Sequence, residues 1–103
     1  MITLAIRYTL DPNKLDAFET YVRALSSQVG RCGGKFVGYY LPTKLAGPMN
    51  SALGLIDFPD LAAYETYRGN LAANAEANET LRRVGETGCI LNEDRSFMRR
   101  CPE

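Results

Sequence analysis

Four polar features of the sequence could take part in chemistry. Arg7 lies in the alternating segment Ile2 to Leu10, on the face it shares with Thr3, Ala5 and Thr9. A guanidinium among small residues can anchor a ligand carboxylate. It can equally pair with a carboxylate on a neighbouring strand, such as Asp57 or Glu93. The structural pair is the first expectation, because ion-pair networks imitate functional sites. An unpaired charge would be costly to bury, so Arg7 is expected buried against its partner inside a dimer. Tyr39 and Tyr40 split across a strand, one ring per face. Each reads first as packing and second as a pocket hydroxyl. Asn50 follows Gly47-Pro48, where it caps a turn or offers its amide to a substrate. Cys32 stands beside Arg31. The guanidinium favours its thiolate and the end of the preceding helix disfavours it, so a passive thiol is expected. Arg7, Tyr39, Tyr40 and Asn50 are therefore the candidate ligand-binding residues, and no catalytic residue can be named.

What is missing narrows the chemistry. Histidine is absent. That removes the commonest general base, the usual proximal haem ligand and a common zinc ligand. The three cysteines, Cys32, Cys89 and Cys101, show no CxxC spacing and form neither a disulfide framework nor a metal site. No cofactor and no metal are expected. Dinucleotide, P-loop and nucleophile-elbow patterns are absent. Cofactor-free oxygenation needs no histidine and stays open. Twelve Lys and Arg balance twelve Asp and Glu, so charge gives no reason to expect nucleic acid or an anionic membrane as partner. The one basic pair, Arg99-Arg100, reads as a solvated strand end. No apolar run approaches membrane-spanning length, and Met1 to Leu10 lacks the pattern of a secretory signal. Reduced thiols point to a cytoplasmic protein.

The elements that must position these residues fit one domain over residues 1–103. Ile2, Leu4, Ile6, Tyr8 and Leu10 share one face of a first strand. Asp11-Pro12 offers an N-cap and a proline at the first helical position. Leu15, Phe18, Val22, Leu25 and Val29 then form an apolar helical stripe, stopped by Gly30 and Gly33-Gly34. Lys35 to Leu41 is a second strand, with Val37, Tyr39 and Leu41 on one face and Phe36 and Tyr40 on the other. Ser51 to Phe58 is a third. Asp60 caps a helix carrying Leu61, Tyr64 and Tyr67, and the Ala-rich stretch after it breaks between Asn74 and Asn78. A further helix runs from Glu79 to about Gly85. Cys89 to Arg99 is the last strand, and its polar middle marks an edge or a wet region.

Strand, helix, strand, strand, broken helix, strand is the ferredoxin-like βαββαβ plan, an α+β fold. Right-handed crossovers put the helices on one face of a four-stranded antiparallel sheet. The second and third strands are apolar on both faces. Burial contributes roughly 25 cal/mol per Å² of apolar surface, so a bare face would strongly favour association. A homodimer through the helix-free faces is the expected assembly.

Tyr8-Thr9-Leu10-Asp11-Pro12-Asn13-Lys14-Leu15 resembles the YTLKPGKL opening of the NIPSNAP family. Gly33-Gly34-Lys35-Phe36-Val37-Gly38-Tyr39-Tyr40 resembles its GGKLVGYW strand, and Gly47-Pro48-Met49-Asn50 its GPLN turn. The resemblance implies the dimeric α+β barrel. The chain departs from the family at the first strand, where Arg7 is displaced by one residue. Ile56 and Tyr40 stand where the family often has tryptophan. The resemblance implies a dimeric binding or structural module without an established reaction. The alternative is a cofactor-independent monooxygenase or isomerase of the same superfamily, acting on a small organic molecule. A cavity between helices and sheet with convergent polar groups would favour the enzyme, and a filled core the binder.

Overall fold

A computed structural model describes residues 1–102. The elements are β1 (Ile2–Leu10), α1 (Leu15–Arg31), β2 (Lys35–Tyr40), β3 (Ser51–Phe58), α2 (Leu61–Ala73), α3 (Ala75–Thr87) and β4 (Ile90–Met98). The sheet is antiparallel in the order β2-β3-β1-β4. This is the βαββαβ plan, with its second helix in two pieces. The polar β4 is an edge strand, as its sequence implied.

Alternation on β1 decides the core. Leu4, Ile6, Tyr8 and Leu10 are buried; the first three align across the sheet with Ile56, Gly54 and Ala52 of β3, and Leu10 with Ile90 of β4. Phe18, Leu25 and Val29 from α1 and Tyr67 from α2 pack onto this face. Leu15 and Val22 are only partly buried, and Tyr21 and Gln28 take buried places on α1. The buried stripe is thus rotated slightly from the aliphatic one. Gly34 allows the close approach that brings α1 to β2. A Cβ there would sit 2.9 Å from Ile56 and 3.0 Å from Val29.

Several boundaries differ from expectation, each for a local reason. Asp11 does not cap α1. Its carboxylate accepts from the Asn13 N–H at 3.0 Å and its carbonyl from the Lys14 N–H at 2.9 Å. Residues 11–14 are therefore a turn, and α1 starts at Leu15. The break in the second helix takes a single residue. Asn74 is extended and its side chain accepts from the Ala77 N–H at 2.9 Å, so α3 begins at Ala75 and not at Glu79. Asp60 does cap α2, accepting from the Ala63 N–H at 2.8 Å. Leu41 lies outside β2.

The largest departure is a bulge in β2. Pairing slips between Phe36 and Gly38, so Phe36 aligns with Ile56 and Tyr39 with Gly54. Both partners face the helices. Simple alternation separates Phe36 from Tyr39, whereas the extra residue puts them together with ring centroids 5.7 Å apart.

Candidate functional site

The helix-covered face does not close completely. A cavity of about 500 Å³ remains between the sheet and the helices. Its aliphatic wall comes from Leu4, Ile6 and Ile56, and its aromatic wall from Tyr8, Tyr21, Tyr39 and Tyr67. The strands and helices divide the task. Alternation on β1 turns Tyr8 inward, the β2 bulge turns Tyr39 inward, α1 supplies Tyr21, and α2 supplies Tyr67. Tyr39 needs Gly54 opposite it. A Cβ at position 54 would lie 2.5 Å from the Tyr39 ring. The ring therefore rests over bare backbone, a close approach that only glycine permits.

The Tyr8 hydroxyl donates to the Tyr39 hydroxyl at 3.3 Å. Tyr8 packs edge-on against Phe18 with centroids 4.9 Å apart, and Tyr67 packs against Phe58 at 5.0 Å. Burial is the main reason that the Tyr8 phenol is held well above its ordinary range, with Tyr39 and Tyr21 adding to the effect. Burial also raises Tyr21 and Tyr39, and lifts Tyr67 to about 12. These phenols are neutral at ordinary pH, so they act as hydrogen-bond donors and not as bases.

Two guanidiniums line the cavity, Arg95 from β4 and Arg68 from α2. Arg95 aligns with Ile6, so it stands on the helix side of the sheet. It reaches one carboxylate oxygen of Glu93 through Nε at 3.3 Å and Nη2 at 3.2 Å. Burial works against its charge, but Glu93 more than offsets this and holds the guanidinium above its ordinary value. Arg68 donates to the Tyr64 hydroxyl at 3.3 Å. No group of three or more His, Cys, Asp or Glu side chains comes together among the described residues.

The sequence-derived candidates do not form one site. Tyr39 lies in the cavity. Arg7 and Tyr40 are on the opposite face, both aligned with Leu53 and both exposed. Neither carboxylate proposed for Arg7 is its neighbour. Asp57 aligns with Thr3 and accepts its hydroxyl at 2.5 Å, while Glu93 aligns with Tyr8 on the helix side. Asp94 is the acid aligned with Arg7, yet Arg7 makes no ion pair within the chain among the described residues. Asn50 is used through its backbone, its carbonyl accepting from the Leu10 N–H at 2.8 Å. Tyr8, Tyr21, Tyr67, Arg68 and Arg95 were not singled out from the sequence. Tyr8 carried one signal, a polar tip within an aliphatic strand face, and Arg95 another, a cation in the middle of a strand.

The sequence pattern of the NIPSNAP family matches residues 4–102. The chain belongs to the NIPSNAP family. Solved structures agree on the fold. Protein Atu4242 of Agrobacterium tumefaciens superposes with a TM-score of 0.83 at 20% identity, over 98% of this chain and 94% of that one. An uncharacterised NIPSNAP-like domain protein of Burkholderia xenovorans gives 0.79 at 22% identity, over 97% and 84%. A putative antibiotic biosynthesis monooxygenase of Nitrosomonas europaea gives 0.73 at 10% identity, over 97% and 98%. No curated protein sequence matches the chain. Within this NIPSNAP domain, no described helix is long and apolar enough to cross a membrane.

Proposed function

We propose that this NIPSNAP domain is a cytoplasmic small-molecule-binding homodimer, each subunit holding a compact organic ligand between its sheet and its helices. The observation that carries this is the cavity itself, with four phenols around a largely apolar space. Its size falls in the range of ordinary ligand pockets, and its few polar groups could fix a ligand's orientation. Gly54 lets the Tyr39 ring lie against the β3 backbone, where its hydroxyl meets that of Tyr8 at the cavity wall. Three free thiols, two of them buried, support a reducing compartment.

The dimer reading rests on the other face. Leu53 and Leu55 are half-buried there, beside Arg7 aligned with Asp94 and Lys35 aligned with Asp57. Opposite charges flanking an apolar centre form a self-complementary patch, which suits a two-fold contact. Arg7 would find its carboxylate partner in the second subunit. Native mass spectrometry of the purified chain tests both statements together. The expected result is a dimer carrying a small organic molecule, released on denaturation. A ligand-free monomer at micromolar concentration would overturn the reading. Arg7→Ala is expected to weaken the dimer, checked by sedimentation velocity, because a charge seated in an interface leaves its partner unpaired when removed.

A second reading, a cofactor-independent monooxygenase or isomerase, is favoured by the unfilled cavity and its convergent polar groups, the neutral Tyr8–Tyr39 hydroxyl pair among them. Binding stands first because the lining offers donors and cations but no carboxylate, imidazole or thiol to act as a base. Such donors can stabilise an oxyanion that forms on a bound substrate. The fold likeness to a putative antibiotic biosynthesis monooxygenase adds to it. Oxygen uptake or isomer formation by the protein with its own co-purified ligand would distinguish this from binding alone.

A further inference from the structure

We propose that the cavity selects an aromatic carboxylate, its anionic group held at the mouth by Arg95 and Arg68 and its flat body lying among the tyrosines. This inference rests on the ligand-binding role proposed above and specifies the ligand's chemistry.

The charges lining the cavity are all of one sign. Arg68 and Arg95 are cations, and no Asp or Glu shares the lining with them. Arg68 has no carboxylate within ion-pair distance among the described residues. Its bond is to the neutral Tyr64 hydroxyl, and it lies 6.0 Å from that ring. Arg95 is only partly compensated. Glu93 offers it a single oxygen, at 3.2 and 3.3 Å, longer than the usual 2.7–2.9 Å of a charge-assisted hydrogen bond. No other hydrogen bond of the Arg95 side chain is found among the described residues. A guanidinium with donors to spare matches a carboxylate, which it can hold through two parallel bonds.

The buried part of the lining is different. Whereas Arg68 and Arg95 are exposed, the inner walls are Leu4, Ile6, Ile56 and the tyrosine rings. Rings on several sides favour a flat, polarisable body over a branched aliphatic one. Tyr39 accepts from Tyr8, so its own proton is available to an acceptor on the ligand. A cationic mouth and a neutral aromatic interior together describe an amphipathic anion. A neutral ligand would leave Arg68 without a counter-charge, and a cationic one would be repelled.

Isothermal titration of the 103-residue chain with 2-naphthoate, 2-naphthamide and 2-naphthylmethylamine tests this, since the three share one body and differ in charge. The naphthoate is expected to bind about ten-fold more tightly than the amide, the scale of a hydrogen-bonded charge pair. The amine is expected not to bind. Arg95→Gln, and to a smaller degree Arg68→Gln, should remove the preference for the acid, the acid losing more affinity than the amide. Arg95→Lys should restore part of it, and Arg100→Gln should change nothing. Both arginines are surface-accessible, so unchanged melting temperatures are expected and verify that the variants fold. Equal affinity for acid and amide, or a preference that survives both glutamine variants, would overturn the carboxylate assignment and leave the ligand-binding role standing. Failure of every probe to bind would overturn both.

Discussion

The two faces of the sheet use the same strands for different ends. On the helix side, β1 presents Leu4, Ile6 and Tyr8; on the open side it presents Ala5, Arg7 and Thr9. The helix face is closed by the chain's own helices, so its polar atoms must find partners locally. Tyr8 and Tyr39 do so by bonding to each other, and the Gln28 amide by donating to the Thr80 hydroxyl. The open face meets no other element of the chain, and its charged residues remain exposed. One face is therefore specified by a single chain and the other waits for a second surface. A polar residue on the first acts as a donor to whatever fills the cavity, and one on the second sets the register of an association.

Alkali should break the helix face most completely. Below their ordinary pKa of 10.0 the buried tyrosines are neutral in both the folded and the unfolded chain. Above it, unfolded phenols lose protons that the folded ones keep, so stability falls as pH rises. For Tyr67, raised to about 12, the loss by that pH is about 2–3 kcal/mol. Tyr8, Tyr21 and Tyr39 move in the same direction. We expect phenolate absorbance and loss of helical circular dichroism to rise together between about pH 10 and 12. Phenolate forming while the helical signal stays intact would show that the cavity admits hydroxide freely.

Single substitutions sharpen the contrast. Phe58, fully buried on the helix face, should cost about 3–5 kcal/mol when replaced by alanine, read from urea unfolding. Leu55→Asp, three residues earlier on the same strand and on its open face, should leave monomer folding largely intact and shift the sedimentation profile to a single chain. If Leu55→Asp instead unfolds the chain, the open face is part of the core and the two faces are not separable.

Gly54→Ala is expected to have a smaller effect on stability, about 1–3 kcal/mol, because a methyl group meets the Tyr39 ring in a packed space. Its clearer signature should be loss of the co-purified ligand, seen by native mass spectrometry. Retention of the ligand would place Tyr39 outside the binding role. The smallest effect belongs to α3. Hydrogen bonding from Arg82 holds the Glu79 carboxyl down at about 2, with Arg83 also contributing. That cluster is fully exposed, so solvent screens it. Glu79→Gln should leave the neutral-pH melting temperature within the scatter of measurement. A clear drop would give the surface of α3 a structural role that its exposure does not suggest.

The sequence by itself determined the order of elements, the inward face of β1 and the Asp60 cap, because periodicity and capping are local properties of a few neighbouring residues. It also carried the family, through Tyr8-Thr9-Leu10, Gly33-Gly34-Lys35 and Gly47-Pro48-Met49-Asn50. The edge position of β4 was legible in its polar middle. The site was legible only at Tyr39, and there as the weaker of two roles. Only the tertiary structure decided the rest. The β2 bulge put Tyr39 on the same side as Phe36, which alternation alone does not show, since an extra residue is visible only against the partner strand. Tyr21, Tyr67, Arg68 and Arg95 come from three elements distant in sequence and meet only when α1, α2 and β4 pack around β1. Arg7 went the other way. Its place on β1 follows from alternation, but its neighbour depends on the register of β4, and register places Asp94 beside it and Glu93 on the far face.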